Sequence, residues 1–537
     1  MPVRRRDNED GFTMISVVLG LSLVVALSIV AVTAVSGDLH LTRNDLDHRR
    51  AYEAAKAGVN DYIFHLHDET DYWTNCDEPP KPVNDAVNQV GSTAKRRAVP
   101  GSTGGEYAIE LIPAEGQEEC STEDPGASML EQSGLLKGTF RIRSTGFSNG
   151  VEVSVVATFK PATFLDYVYF TQLETLDPVS YGYANPSSQL AGVNSQCSKT
   201  FEEGRMDDPI PSAGGNCVVI SFVSGDSING PMHTNDAFVI CGSPTLGRGP
   251  SDPVEVSGPP KGWFSTKTFS GSCTGSETNF KGTFTADSSV IKPPPSNSAL
   301  KSVAEQGGKK FSGQVRICLS GTTMAVSHGA TCTTPDPNGY SGAIPSNGVV
   351  YVESVACPTV YSPFTATYPA SSECGNAYIH GEYSGQLTLA TENDVIVDGN
   401  LIHSEEGVLG LVANNFVRVY HPYSSDETST QLGRNECGSG GSNGPGSITN
   451  LQIDAAILAI EHSFIVDHYD CGASLGTLTV NGAIAMKYRG PVGTTGSPGH
   501  GYLKNYSYDD RLRYMQPPHF IEPAESDWVI GRETIDF

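Results

Sequence analysis

The sequence has little positive charge. Its 34 lysine and arginine residues stand against 60 aspartate and glutamate residues, which gives a formal net charge of −26 at pH 7. Nonspecific binding to nucleic acid requires Lys and Arg surfaces that neutralise phosphates, so we expect no nucleic-acid partner. Charged residues make up only 18% of the chain. That proportion excludes a coiled coil and a charge-rich disordered chain.

Motifs for nucleotide or metal chemistry are also missing. The sequence contains no P-loop, no His-Glu-x-x-His and no Cys-x-x-Cys. We therefore assign no catalytic, cofactor-binding or metal-binding residue and do not expect an enzyme. Acidic loops at Asp207-Asp208 and Asp509-Asp510 supply oxygen ligands of the type that Ca²⁺ prefers, which leaves calcium open without a full ligand string.

Two polar groupings are the nearest approach to a catalytic site. His233 stands close to Asn235 and Asp236, where polar side chains at a strand corner usually bond their own backbone. Carboxylates of the kind that some β-helical polysaccharide-acting enzymes use are found at Asp394, Asp398, Glu405 and Glu406. Hydrolysis of a glycoside needs two carboxylates about 5–10 Å apart, and nothing in the sequence establishes such a pair.

What the sequence does contain is one long uncharged run, from Phe12 to Ser36. It exceeds the roughly 20 apolar residues that cross a bilayer, and Arg4, Arg5 and Arg6 before it place the N-terminus in the cytoplasm. No later segment is comparable, so we expect a single-pass membrane protein whose bulk lies outside the cell.

The helical pattern continues beyond the apolar run. Apolar residues recur with a period near 3.6 from Tyr52 to Leu66, and charged residues lie between them. This predicts one helix from Phe12 to about Asp68, with one half in lipid and the other half supporting a soluble domain.

The N-terminal motif is specific. Gly11-Phe12, led by basic residues and followed by the apolar run, resembles the prepilin cleavage motif of type IV pilins, and residues 50–60 resemble the helix of PilX-type minor pilins. The resemblance implies that a prepilin peptidase cleaves between Gly11 and Phe12 and methylates Phe12. It also implies that the helix contacts other pilins or minor pilins in a filament.

Ser16 departs from the pilin pattern. Pilins usually carry a Glu at this fifth position of the mature chain, where it pairs with the N-terminal ammonium of a neighbouring subunit; Ser16 cannot form that ion pair. The tip minor pseudopilin of type II secretion similarly lacks the Glu. We therefore expect a minor pilin at or near a filament tip, although Ser16 could equally hydrogen-bond within its own helix and leave the position unspecified.

The rest of the chain favours β-structure. The whole sequence contains 58 glycines and 34 prolines, a density that suits short strands and turns. After a leader (1–11) and the pilin helix (12–70), we expect a pilin-like α+β domain with a small antiparallel sheet (71–160) and a large extracellular β-rich domain with loop insertions (161–500). A C-terminal cap or tail follows (501–537). We expect an α+β, mainly β fold overall. For the large domain we favour a right-handed parallel β-helix, with a β-sandwich as the alternative.

Twelve cysteines in an exported chain favour disulfides over metal binding. They are Cys76, Cys120, Cys197, Cys217, Cys241, Cys273, Cys318, Cys332, Cys357, Cys374, Cys437 and Cys471. The sequence does not determine their connectivity; pairing between consecutive cysteines, such as Cys76 with Cys120 and Cys197 with Cys217, is the working expectation.

Two functions from different classes follow. The first is a minor, tip-associated or assembly-initiating pilin-like protein of a type IV pilus or type II secretion-like system, with its exported β domain used for adhesion. It would be anchored in the membrane before assembly and lie on the surface pilus after processing. The second is a membrane-anchored extracellular enzyme that acts on polysaccharide. Cleavage after Gly11 distinguishes them.

Overall fold

The structure, a computed structural model, describes much of the chain. The described residues are 10–69, 71–74, 87–88, 96–102, 104–121, 123–132, 138–178, 196–205, 207–208, 217–258, 262–265, 279–333, 335–357, 372–404, 406–424, 442–494, 499–513, 515–524 and 527–536. They form two compact units, one of Met1–Pro161 with Trp528–Phe537 and the other of Ala162–Asp527.

The first unit consists of a long helix and a sheet. Helix α1 (Asp10–Asp68) has 59 residues, which corresponds to about 88 Å at a rise of roughly 1.5 Å per residue. The strands are β1 (Val87–Asn88), β2 (Arg97–Ala98), β3 (Glu106–Ile112), β4 (Phe140–Ser148), β5 (Val151–Pro161) and β35 (Trp528–Asp536), with a short helix α2 (Pro125–Met129). The sheet order is β1-β3-β4-β5-β35, with β2 beside β3. Only β1 runs parallel to its neighbour.

The hairpin between β4 and β5 turns at Asn149-Gly150, a residue pair that favours such a turn. Asn149 and Gly150 both have positive φ, at 48° and 85°. This conformation is required at both central residues of the two-residue turn that matches the twist of paired strands, and Asn-Gly is the pair that adopts it most readily. The local sequence therefore determines the register of β4 and β5.

The core of this unit lies between the second half of α1 and the sheet. Val59, Tyr62 and Leu66 of α1 are fully buried against Phe140 and Phe159. The rings of Phe140 and Phe159 stack at 5.0 Å between centroids, and Tyr62 packs edge-on to Phe140 at 6.2 Å. The apolar stripe predicted for α1 is thus the face that packs on the sheet.

The last strand closes this sheet from the far end of the chain. Strand β35 pairs antiparallel with β5, and Trp528 lies opposite Pro161. The chain therefore leaves the sheet at the end of β5 and re-enters it in the adjacent strand. Residues 501–537 are expected above to form one cap or tail, but 528–536 form a strand of the first unit, and Trp528 at its start is buried in the same aromatic core.

The second unit is mainly β. Its strands before the helix α3 (Ser298–Glu305) are β6 (Tyr169–Leu176), β7 (Asp207–Asp208), β8 (Cys217–Val218), β9 (Ser221–Val223), β10 (Ser227–Asn229), β11 (Met232–Thr234), β12 (Phe238–Cys241), β13 (Thr245–Leu246), β14 (Pro253–Val256), β15 (Trp263–Ser265), β16 (Asn279–Phe280) and β17 (Thr283–Thr285). Those after α3 begin with β18 (Lys309–Ser312), β19 (Val315–Gly321), β20 (Thr323–Ser327), β21 (Tyr340–Ala343), β22 (Val349–Glu353), β23 (Ala377–Tyr383), β24 (Gln386–Thr391), β25 (Val395–His403) and β26 (Val408–Ala413). They continue with β27 (Val417–Val419), β28 (Tyr423–Ser424), β29 (Ser442–Asn443), β30 (Gln452–Ala459), β31 (Phe464–Val466), β32 (Ser474–Arg489), β33 (Gly493–Thr494) and β34 (His500–Tyr508). Short 3₁₀ turns occur at Tyr72–Thr74 in the first unit and at Phe164–Asp166 and Asp510–Arg513 in the second.

Many strands of the second unit pair in parallel with partners that are not their immediate neighbours in sequence, whereas β20 pairs antiparallel with both β19 and β21. Strand β22 pairs with β24 and β24 with β26, while β23 pairs with β25 and β25 with β27. Two interleaved ladders therefore advance together along the chain. Side chains pointing inward from them, such as Leu387, Leu389, Leu409 and Leu411, are fully or almost fully buried.

The two ladders join segments that are far apart in sequence. The second half of β32 pairs with β6, and its first half pairs with β34, which in turn pairs with β10. Strand β6, the first strand of the unit, therefore lies inside the large sheet. It pairs with β11 from the part of the unit before β18 and with β32 from the part after it. Whether this unit is classed as a right-handed parallel β-helix or a sandwich stays a prediction.

Candidate functional site

The first half of α1 exposes an apolar surface. Every side chain described from Met14 to Ile29 is exposed, and the large hydrophobic ones range from 53% at Val25 to 74% at Met14. This stretch is about 24 Å long, and its apolar surface is continuous around the helix. Exposed apolar surface of that extent marks a site that another molecule or a lipid phase covers.

Within the residues that the structure describes, no helix meets the length and hydropathy needed to span a membrane.

The predicted processing residues lie at the start of α1. Gly11 and Phe12 belong to its first turn by backbone, while their side chains and residues 1–9 are outside the described part. Ser16 is exposed one turn further along, within the apolar surface. Cleavage, methylation and the role of Ser16 in assembly stay predictions.

The helix changes character at Ala51, where burial begins. Between residues 43 and 50 most side chains are polar or charged and exposed, as in the Asp45–Arg49 pair at 3.4 Å. After Ala51, ion pairs join α1 to the sheet of its own unit: Lys56 pairs with Glu533 of β35, and Asp61 pairs with Arg97 at 2.9 Å. The second half of α1 is therefore fixed in the first unit, and the exposed apolar half extends from it as the same helix.

Glycines allow α1 to approach the sheet closely. A Cβ on Gly146 of β4 would lie 3.0 Å from the carbonyl carbon of Ala51 and closer still to its oxygen and to the amide of Ala55. A Cβ on Gly58 of α1 would overlap Ser144 and the ring of Tyr107. The helix backbone therefore rests directly on β4 at this point.

The described cysteines are all disulfide-bonded. Three bridges join consecutive cysteines, as expected: Cys197–Cys217, Cys318–Cys332 and Cys357–Cys374. Cys120, Cys241 and Cys471 are also bonded, and Cys76, Cys273 and Cys437 lie outside the described residues. The disulfide prediction is confirmed for these three pairs.

His233 is a buried structural residue in this geometry. Its Nδ1 lies 3.1 Å from the carboxylate of Glu255 and its Nε2 lies 3.1 Å from Oδ1 of Asn235. Both amide atoms of Asn235 are fixed, because its Nδ2 donates to the carbonyl of Ile291 and its Oδ1 accepts from the amide of Ile291. Both ring nitrogens of His233 are therefore held by neighbouring oxygen atoms, and the Ser257 hydroxyl lies 3.4 Å from Nε2.

Two of the four candidate carboxylates, Asp394 and Asp398, are paired with cationic side chains. Asp394 is buried beside Arg418, with 3.1 Å between Oδ2 and Nε, and burial raises the pKa of its carboxyl while Arg418 opposes that shift. Asp398 contacts both Arg316 and His380. Glu405 lies outside the described residues and Glu406 is exposed.

Buried ion pairs that the sequence analysis does not predict occupy the middle of the second unit. Arg489 and Glu174 are both 1% exposed or less and pair at 2.9 Å, and the guanidinium carbon of Arg489 lies 3.6 Å from the Phe222 ring centroid. Lys504 pairs with Asp226 at 3.0 Å, and burial lowers the pKa of Lys504. Local sequence patterns cannot predict these pairs, because partners such as Arg489 and Glu174 are 315 residues apart.

Oxygen-rich loops show ion pairs in place of a ligand cluster. Asp509 binds Arg511 at 2.6 Å and Asp510 binds Arg248 at 2.7 Å. The backbone of Asp207-Asp208 forms β7, and their side chains are outside the described part. In the part of the chain that the structure describes, no group of three or more His, Cys, Asp or Glu side chains could hold a metal ion.

Comparisons with known proteins add little. No protein-family model matches the chain, and no curated protein matches it. Among solved structures, the chain is similar to the competence-associated pilin ComZ from Thermus thermophilus, with a TM-score of 0.27 and 12% sequence identity over 91% of this chain and 97% of that chain. A likeness at that score carries no argument about this chain.

Proposed function

We propose that this chain is a minor pilin-like protein that enters a filament through the apolar half of α1. The observation that carries the proposal is the continuity of α1, whose exposed apolar stretch from Met14 to Ile29 leads into a second half packed on an antiparallel sheet. A helix that only tethers a domain has no need to be the core element of that domain. A helix that packs beside its equivalents in a filament must hold its domain rigidly, and α1 does so through Val59, Tyr62 and Leu66.

The N-terminal motif supports the same proposal. Gly11-Phe12 stands at the start of α1 after a basic leader, where the type IV pilin family is cleaved and methylated. Before assembly, the run from Phe12 to Ser36 holds the protein in the membrane as a single-pass segment. The partners are a prepilin peptidase and the helices of other pilins.

Ser16 supports a low-copy position at or near the tip. A Glu at this position would be buried in the filament, and its desolvation is offset only by a cationic partner in the next subunit. A subunit at the tip has no neighbour beyond it and does not need that pair. The same argument holds for a type IV pilus and for a type II secretion-like filament.

The second unit is the exported part, and we propose that its large surface serves adhesion. Its interleaved parallel ladders support a right-handed parallel β-helix, because each coil of such a helix contributes one strand to each ladder. Insertion between adjacent strands β5 and β35 connects it to the pilin-like unit by two chain segments.

The decisive experiment is co-expression of the full chain with a prepilin peptidase. Mass spectrometry of the mature N-terminus is expected to show N-methylated Phe12, and a Gly11→Val control should block cleavage. An uncleaved leader in the presence of active peptidase would overturn the proposal.

The tip position has its own test, Ser16→Glu. With the ion pair restored, the variant is expected to spread along the filament when labelled by immunogold, whereas the wild type and a Ser16→Ala control stay at one end. Uniform labelling by the wild type would contradict the tip assignment.

A further inference from the structure

The Cys318–Cys332 disulfide lies beside a histidine that the proposed function does not use. Strands β19, β23 and β25 are parallel neighbours, and their register places Cys318 of β19 opposite His380 of β23. Alternation along β19 places Arg316 and Cys318 on the same face of the sheet. The sulfur, the imidazole and the guanidinium are therefore on one surface.

An irregularity in β25 brings a carboxylate to this surface. Val397 pairs with Ile379 and Leu401 pairs with Gly381, so Asp398, Gly399 and Asn400 lie opposite His380 alone. A Cβ on Gly399 would lie 2.7 Å from that of His380, so only glycine lets the histidine lie over the bulge. Bulges of this kind redirect side chains and are frequent beside reactive sites.

The distances form a connected set. Nε2 of His380 lies 3.3 Å from Sγ of Cys318, and Nδ1 lies 2.8 Å from Oδ1 of Asp398, which also pairs with Arg316. Burial, and then the nearby Arg316 charge, lower the pKa of His380. A neutral imidazole that donates Nδ1–H to Asp398 directs its Nε2 lone pair at the sulfur.

This bridge is also open to solvent. His380 is 36% exposed, Cys318 and Cys332 are partly exposed, and both neighbours of Cys332 in its loop are exposed. In contrast, Cys197 and Cys217 are fully buried, and the third bridge joins an exposed Cys357 to Cys374, which is 1% exposed. Among the three bridges that the structure describes in full, this one combines access with an adjacent base.

We propose that Cys318–Cys332 is a thiol–disulfide exchange site whose co-reactant is a thiol. His380 accepts the proton of that thiol. The incoming thiol gives its proton to Nε2 of His380, and its sulfur bonds to Sγ of Cys332. The Cys318–Cys332 bond breaks, and its electron pair leaves on Cys318 as a thiolate paired with the imidazolium. A second thiol then releases Cys332 as a thiol and forms the disulfide of the two co-reactants, so the bridge is reduced and the thiols are oxidised.

The pairing with His380 makes Cys318 the better leaving group. An imidazolium beside the leaving thiol lowers its pKa, and a thiol of lower pKa leaves faster, so we expect His380 to accelerate the exchange about tenfold. It also fixes the direction of attack, since the sulfur that leaves is the one that His380 stabilises. The co-reactant should therefore become attached to Cys332.

The test uses the full chain in detergent, with reduced glutathione as the probe. After brief incubation, free thiols are alkylated with iodoacetamide and the peptides are mapped without reduction. We expect glutathione on Cys332 and alkylation on Cys318, at a rate clearly above that of Cys357–Cys374 in the same sample. His380→Asn should slow the exchange about tenfold and leave Cys357–Cys374 unchanged.

Two controls keep the result specific. His519→Asn changes an exposed histidine at a positive-φ position that Asn tolerates, and it should exchange at the wild-type rate. Thermal unfolding of His380→Asn should match that of the wild type, since a half-exposed side chain is replaced. Equal exchange rates for the wild type and His380→Asn, or glutathione attached mainly to Cys318, would overturn the proposal.

Discussion

Replacing Gly146 with alanine tests how closely α1 packs on the sheet. The added Cβ would meet backbone atoms of Ala51 and Ala55 at distances that real Cβ contacts do not show. Backbone atoms within a helix cannot rotate away as a side chain can. The substitution must therefore displace α1 from β4, although alanine itself is compatible with a strand.

The expected cost is that of overpacking a filled core, about 1–3 kcal/mol. The upper part of this range applies because the displaced helix also carries Val59, Tyr62 and Leu66 away from the aromatic core. For a urea m-value of about 2 kcal/mol/M, a loss of 2 kcal/mol lowers the unfolding midpoint by about 1 M.

Tryptophan fluorescence can report on the first unit alone. Of the three tryptophans, Trp73 and Trp528 lie in its core and contact each other at 5.8 Å between ring centroids, and Trp263 belongs to the second unit. In a Trp263→Phe background, Gly146→Ala should therefore lower the urea midpoint. Gly531→Ala of β35 is the matched control, since its Cβ would meet only the flexible chain of Lys160 at 3.3 Å. Equal midpoints for the two variants would refute the close-packing argument.

Two further predictions follow, one for each unit. Hydrogen bonding from Lys301 holds the pKa of Glu353 at about 2, against desolvation and with help from Ser312 and Lys310. Because this folded value lies below the unfolded value of about 4.3, the stabilisation is complete above that pH and is lost as the pH falls towards 2. Glu353→Gln should therefore reduce the loss of unfolding free energy between about pH 4.5 and 2. An unchanged pH dependence in that range would contradict the assignment. Replacing Ala162–Asp527 with Asn-Gly should join β5 and β35 by a two-residue hairpin turn, since Pro161 and Trp528 already pair. The shortened chain is expected to unfold cooperatively when followed by the fluorescence of Trp73 and Trp528. An unfolded product would contradict this and show that the first unit depends on the second.

Local patterns in the sequence predict the elements of the first unit well. The helical period identifies the face of α1 that contacts the sheet, and Asn149-Gly150 is a residue pair that by itself favours the turn it forms between β4 and β5. These features depend on residues within a few positions of each other. Strand β35 could not be predicted in the same way, because its partner β5 precedes it by more than 360 residues.

The same distinction holds for the candidate sites. The cysteine positions and the carboxylate Asp398 are visible in the sequence, and consecutive pairing gives the three observed bridges. His380 has no local signal, since its sulfur contact is 62 residues away. It becomes a candidate only when the parallel register of β19 and β23, and the bulge in β25, are known.

The most direct measurement of the central claim is the location and N-terminus of the native protein after surface filaments are sheared off. The proposed function predicts that the chain is found in the sheared filament fraction and begins at N-methylated Phe12. A chain that stays with the cells and still carries residues 1–11 would contradict it.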